Sequence, residues 1–351
     1  MKDTDEMSVE LSEMPRAETG VSRGVRMGGL LSLTLLALLI LMWVVLSFTT
    51  YGRFWTPINM YNLLRQGALV AILAVGETFV IITAGIDLSV GAIAGFSTVI
   101  IAWLLTHNVP IGISIFLTLC LGLAIGLFHA FGVTALGLPP FIMTLATWTA
   151  LRDVGFLITN GATISITNTA FTNFSRTDFL AVPFLYLQDG GLKFSWLPIP
   201  SLFWMVLVVA IPGYIFLHQT RFGRYLFAIG SNREAARLSG VNTTFIIYIA
   251  YVLSALCAAF VGILLAARIG IGSAGQGEGW ELQAIASSVI GGTSLFGAIG
   301  TVYGPVLGSF ILATINNGAN LRNLNSYWQG IITGLLIIVI VYLDSLRRRK
   351  R

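Results

Sequence analysis

The sequence predicts an all-α fold, a polytopic membrane helix bundle of about ten transmembrane helices. Three observations carry that prediction. First, 56% of the 351 residues are hydrophobic and only 10% are charged, whereas a soluble domain averages about 25% charged. Second, the mean hydropathy is +0.86, and 38 glycines and 22 phenylalanines stand against three lysines, a balance suited to membrane helices, where glycine is commoner than in soluble ones. Third, apolar runs of spanning length recur along the chain. A soluble enzyme and a disordered scaffold are both excluded.

The runs give the elements in order. Residues 1–27 are polar, with Lys2, Asp3, Asp5, Glu6, Glu10, Glu13 and Glu18, and read as a mobile cytoplasmic tail. The run at 28–50 is too long for a signal-peptide core and lacks a small-residue cleavage site, so it reads as the first span of the mature protein. Since about 20 apolar residues cross the hydrocarbon, further spans are expected at 67–84, 88–106, 111–134, 140–160, 201–218, 245–267, 281–297, 300–317 and 327–344. The junctions at Gly85–Leu88 and Ala298–Gly300 are so short that either reads equally as a broken helix or a re-entrant hairpin. The spans make one membrane domain, 28–345, followed by a basic cytoplasmic tail, 346–351.

Charge sets the sidedness. Twelve of the 20 basic residues fall in three places: Arg16, Arg23 and Arg26; Arg221, Arg224, Arg233 and Arg237; and Arg347, Arg348, Arg349, Lys350 and Arg351. With ten crossings all three lie on one side, as cytoplasmic segments do. Both termini and the 218–244 loop are therefore expected inside. The 161–200 connection is expected outside, as a partly ordered interfacial cap rich in proline and aromatics. The net charge of +5 is thereby read as a topology signal and not as a nucleic-acid footprint.

Chemistry for an intramembrane enzyme is missing. Ser273 and Ser294 each lack one glycine of GxSxG. His107, His129 and His218 make no zinc-gripping pair and read as interfacial or hydrogen-bonded residues. Cys120 and Cys257 stand alone and read as small packing residues. No lysine sits in a phosphate-binding loop, so any ATP-driven work belongs to a partner.

Three segments stand out from the apolar background. In GETFVIITAGIDLSVG, residues 76–91, Glu77 and Asp87 lie inside or at the edge of spans, where an ionised group is costly and usually faces the interior or water. Asp87 reads as a pathway residue, as an N-cap for a helix starting at Leu88, or as both; Thr83 stands beside it, and Glu77 reads as a local hydrogen-bonding group. In residues 220–242, Ser231 or Asn232 can cap a short helix through Arg233, Glu234, Ala235, Ala236 and Arg237 that Gly240 stops. A capped helix in a cytoplasmic loop has the shape of a docking knob. The third segment, Gly270–Gly300, is dense in glycine for close helix packing. Its Glu278 and Glu281 are candidates to dock a basic partner surface on the outer side. Asn316 and Asn317, with Asn320, are polar enough to line a path or to bridge helices.

The strings AGIDLSVG, LPPFIMTLAT (138–147), GRYLFAIGSNREAARLSGVN and GGTSLFGAIGTVYGPVLG (291–308) resemble the permease subunits of bacterial ABC importers for monosaccharides, most closely the ribose permease type. The resemblance runs from about residue 35 to 345 and implies the ABC importer permease fold in the bacterial inner membrane. It implies a second permease copy, a homodimer or a pair of related chains, and a cytoplasmic ABC ATPase that binds ATP and Mg. A periplasmic sugar-binding protein would deliver the monosaccharide. No cofactor or metal is expected in this chain. The coupling helix is matched by Ser231–Gly240, with Glu234, Ala235, Ala236 and Gly240 echoing an EAA-and-glycine pattern and Arg221, Gly223 and Arg224 flanking it. An ion-coupled secondary transporter using Asp87 and Glu77 is the alternative, against which the docking loop and the lack of an obvious inverted repeat both count.

Overall fold

A computed structural model describes residues 20–188 and 191–349. The acidic stretch 1–19, Lys350 and Arg351 lie outside the described residues. The helices are α1 (Gly20–Thr49), α2 (Pro57–Ile82), α3 (Val90–Thr106), α4 (Ile111–Thr134), α5 (Pro140–Thr159), α6 (Thr169–Phe174), α7 (Ser201–Gln219), α8 (Arg221–Ser231), α9 (Arg233–Leu238), α10 (Thr243–Ile269), α11 (Trp280–Ile290), α12 (Tyr303–Leu321) and α13 (Ser326–Arg349). Prolines mark the entries of α2 and α5, where a missing N–H costs nothing. Left-handed Asn160 and Gly270 close α5 and α10.

Helices α2 and α10 form the centre. Both are predominantly apolar and buried along most of their length, as expected for a core helix. Glycines let the backbones meet: a Cβ on Gly76 would lie 2.7 Å from the Cβ of Cys257, and one on Gly126 would lie 2.7 Å from the Cα of Val252. Cys257 is thus a packing residue between α2 and α10, as its apolar surroundings in sequence suggest. Helices α1, α4, α5, α7 and α13 turn large apolar side chains outward, among them Leu41, Phe116, Leu157, Ile211 and Ile338. Such faces meet lipid or another apolar surface.

The 161–200 connection is more regular than its composition suggests. Strands β2 (Asp178–Gln188) and β3 (Gly191–Pro200) make an antiparallel hairpin with Val182 opposite Leu197. Phe184 and Leu197 bury against Phe54, Met60 and Leu63. Trp55 stacks on Phe184 at 5.1 Å and donates its indole N–H to the Leu185 carbonyl at 2.9 Å. A second small ladder pairs β1 (Ile164–Ser165) with β4 (Ile271–Gly272). The described residues are therefore mostly helical, with four strands in two antiparallel pairs.

Several expected spans are corrected. Helix α2 begins at Pro57, ten residues before the expected 67, because polar Asn59 is taken into the core by a partner on α12 and does not end the helix. The span expected at 281–297 is only the 11-residue α11, about 16 Å long at 1.5 Å per residue and so half of the hydrocarbon. Residues 291–302 continue irregularly, with Gly292, Gly297 and the non-glycine Ala298 at positive φ. Non-helical backbone at membrane depth survives where protein covers it, and here α2 does: Ala298 N–H donates to the Ile82 carbonyl at 2.9 Å. Among the described residues six helices (α1, α2, α4, α5, α7 and α10) are long and apolar enough to cross a membrane, and α3 and Tyr327–Val339 of α13 are shorter apolar helices. Ten complete apolar crossings are not reproduced. Helix α13 runs to Arg349, so no backbone break separates Arg347, Arg348 and Arg349 from the last span.

Candidate coupling and translocation sites

The 218–244 loop is built from local capping. Thr220 caps α8, accepting from Gly223 N–H at 3.3 Å. Of the two cap candidates for the short helix, Asn232 takes the role, its Oδ1 accepting from Ala235 N–H at 2.9 Å. Gly240, at φ +85°, ends α9: its N–H donates to the Arg237 carbonyl at 3.0 Å and that of Val241 to the Ala236 carbonyl at 3.1 Å. These paired bonds are a Schellman closure. Ala236 faces inward while Arg233, Glu234, Ala235, Arg237 and Leu238 are exposed, so α9 presents one free face. Arg237 grips Glu234 with both Nε (2.9 Å) and Nη2 (2.6 Å). Those hydrogen bonds hold the Glu234 carboxyl below its ordinary range and raise the guanidinium.

Arg221 and Arg224 are exposed on α8, and Arg221 lies over the Phe222 ring at 5.4 Å. A 240 Å³ cavity lies between α8 and the start of α10, lined by Arg221, Phe222, Tyr225, Val241 and Phe245 among others. Two glycines fix α8. A Cβ on Gly223 would strike the Leu217 backbone, and one on Gly230 would strike the Ile82 carbonyl and the Ala298 amide. Gly230, which the sequence reading did not single out, thus seats α8 on the end of α2 and on the irregular 291–302 segment. A Cβ on Gly297 would lie 3.1 Å from the Cβ of Ala84. Ala84 and Ala298 both have φ near 63°, a conformation costly for residues other than glycine. The 218–244 loop therefore bears on a strained junction between α2 and α3.

Just above that junction lies a buried polar cluster. Glu77 Oε1 accepts the Asp87 N–H at 3.0 Å. Asp87 Oδ1 accepts the Ser89 N–H at 2.9 Å and the Ser89 hydroxyl, while Oδ2 accepts the Ser254 hydroxyl of α10 at 3.0 Å. Helix α3 starts at Val90 with Ser89 as N-cap, not at Leu88, so Asp87 is no N-cap but ties down the turn before it. Thr144 of the LPPFIMTLAT string accepts the Leu88 N–H at 3.1 Å and approaches the Ile86 carbonyl at 3.2 Å. Thr83 spends its hydroxyl on the Val80 carbonyl at 2.7 Å. Glu77 and Asp87 are fully buried, so in this conformation neither lines an open path.

His129 is fully buried against Tyr251, ring centroids 6.1 Å apart, and among the described residues neither its ring nitrogens nor the Tyr251 hydroxyl has a hydrogen-bond partner. That corrects its reading as an interfacial or hydrogen-bonded histidine. Ser254, Thr144 and Tyr251 had no signal of their own in sequence.

The remaining candidates separate. Asn317 and Asn59 exchange reciprocal amide bonds at 2.7 and 3.0 Å, which makes Asn317 a bridge between α12 and α2; Asn316 is buried beside it. Glu278 is 71% exposed and pairs with Arg152 at 2.9 Å. Glu281 is only 8% exposed, so an approaching protein surface reaches Glu278 and not Glu281. Among the described residues no group of three acidic, histidine or cysteine side chains is placed to hold a metal.

A model of the family described as branched-chain amino acid transport system / permease component matches residues 59–341. The chain belongs to that family. It is 33% identical over 380 residues to the xylose transport system permease protein of Escherichia coli K12, covering 95% of this chain and 96% of the relative. It is 36% identical over 318 residues to the ribose import permease protein of the same strain, covering 89% and 92%. The Bacillus subtilis 168 ribose import permease protein is 36% identical over 293 residues, covering 83% and 86%. No solved structure matches the chain. The permease fold read from the four strings is thereby confirmed as a multi-pass membrane transport subunit.

Proposed function

We propose that this chain is the membrane-spanning permease of an ATP-driven importer for a monosaccharide, ribose, xylose or a related sugar. The single observation that carries the reading is similarity to xylose and ribose permeases along nearly the whole of both chains. The sugar is delivered by a periplasmic binding protein, for which exposed Glu278 is the docking candidate. Two copies of the chain form the pathway, burying some of the apolar faces against each other, with both termini cytoplasmic. A cytoplasmic ABC ATPase binds ATP and Mg and grips α9. Its closure is passed through α8 and Gly230 to the Ile82–Ala298 contact, shifting helices as rigid bodies between outward-open and inward-open states.

The test is ATP hydrolysis in proteoliposomes holding the chain and its ATPase, with and without sugar-loaded binding protein, compared with Glu234→Lys. That change breaks the Arg237 grip and leaves three cations on the free face of α9 where native protein has two cations and one anion. Hydrolysis stimulated by loaded binding protein and lost in the variant is expected. Uptake without any ATPase, driven by a proton gradient and abolished by Asp87→Asn, would refute the reading in favour of the ion-coupled alternative.

A further inference from the structure

The 240 Å³ cavity between α8 and the start of α10 has a wall of two characters. Phe222, Tyr225, Val241 and Phe245 give it an aromatic and aliphatic side, and Arg221 and Asn242 a polar one. The aromatic side fixes its depth. Phe216, in the last turn of α7, stacks on Phe222 with ring centroids 6.3 Å apart, and Phe222 meets Phe245, in the first turn of α10, at the same distance. Helices α7 and α10 are both of spanning length and apolarity, so Phe222 lies where two spans end together. Helix α8 buries Gly223, Leu226 and Ile229 while exposing Arg221 and Arg224, the pattern of a helix at a membrane interface. Phe245 is 52% exposed, an apolar ring turned outward at the level where headgroups meet acyl chains.

The cation at this cavity is free to take a ligand. Residues 218–244 hold four arginines and a single acid, Glu234, and Arg237 already grips that acid. Among the described residues no carboxylate pairs with Arg221, whose guanidinium lies over the Phe222 ring. A ligand that uses the whole wall carries a negative charge for Arg221, further oxygens for the Asn242 amide and the Tyr225 hydroxyl, and an apolar tail for Phe245. A small free anion leaves the aromatic side uncovered. A headgroup bearing choline or ethanolamine brings a second cation beside Arg221. An acidic side chain of a partner protein matches the charge but not the outward Phe245 at the end of a span. We propose that this cavity binds the headgroup of an anionic phospholipid, as basic pockets between membrane helices do. Arg221 pairs with the phosphodiester, and the acyl chains run along Phe245 and the outer side of α10. The lipid thereby ties the start of α8 to α10. The site depends neither on which sugar is carried nor on how transport is driven.

The test is native mass spectrometry of the full chain in detergent, with dioleoyl phosphatidylglycerol or dioleoyl phosphatidylcholine added at equal concentration. The native chain should retain phosphatidylglycerol in preference to phosphatidylcholine. Arg221→Gln should lower that retention about fivefold, the worth of one cation at a membrane surface, whereas Arg53→Gln, which removes an exposed cation elsewhere, should not. Val241→Phe fills the cavity without altering charge; it should elute as native protein yet lose the lipid, which separates the cavity from the charge. Excess glycerol 3-phosphate should leave the lipid in place. Equal retention of the two lipids, equal loss in Arg53→Gln and Arg221→Gln, or native retention in Val241→Phe would overturn the site. Displacement by glycerol 3-phosphate would make it a site for a free phosphate ester, and release of the lipid when the ATPase binds would assign the cavity to that partner; either result refutes the lipid assignment.

Discussion

Replacing Asp87 tests what the buried cluster does. Its carboxylate accepts from the Ser89 N–H, the Ser89 hydroxyl and the Ser254 hydroxyl. In Asp87→Ala the two hydroxyls can turn to other acceptors, Ser254 for instance to a carbonyl one helical turn back. The Ser89 N–H cannot turn, and it is stranded in a fully buried place. That loss costs about 1–3 kcal/mol, partly offset because a carboxylate no longer lies buried beside that of Glu77. In Asp87→Asn the amide oxygen keeps both Ser89 contacts, and the amide nitrogen donates to the Ser254 oxygen, so stability should stay within about 1 kcal/mol of native. Unfolding of the purified chain by an SDS titration in mixed micelles reads both values. If asparagine proves as destabilising as alanine, the negative charge itself is required, and the account of Asp87 as a hydrogen-bonded tie for the α2–α3 turn is refuted.

Three further outcomes are expected. Gly230→Val places side-chain atoms against the Ile82 carbonyl and the Ala298 amide, both backbone and unable to yield. It should therefore lift α8, opening residues 220–242 to limited proteolysis and abolishing stimulated ATP hydrolysis; native protection with native stimulation would break the proposed mechanical link. Asn317→Leu removes the reciprocal amide pair with Asn59 and should cost about 1 kcal/mol, given roughly 0.6 kcal/mol per interhelical bond in membranes. A double-mutant cycle with Asn59→Leu checks it, and zero coupling energy would contradict the bridge. Because the Glu234 carboxyl is held below its ordinary value of 4.5, its pairing with Arg237 is complete above that value and lost only as pH falls through the lowered one. The pH profile of stimulated hydrolysis near neutrality should thus have the same shape in native protein and Glu234→Gln, and a neutral-range ionisation lost in the variant would speak against it.

The amino-acid sequence by itself determined whatever depends on neighbours a few residues away. The cap and stop of α9 were legible because Asn232 reaches only to Ala235, and Gly240 and Val241 close only onto Arg237 and Ala236. The membrane class and the limits of α4, α5, α7 and α10 followed from apolar runs. Tertiary structure alone decided the rest. Glu77, Asp87 and Ser254 meet across 177 residues from first to last, Asn59 finds Asn317 on another helix, and Arg152 draws Glu278 to itself. The span expected at 281–297 shrank to α11 because the 291–302 backbone found cover on α2. In a soluble protein, the alternation of apolar and polar residues tells which helix face looks inward. In these helices nearly every face is apolar, so only packing, through the positions of glycines such as Gly76, Gly126 and Gly230, sets which polar side chains come together.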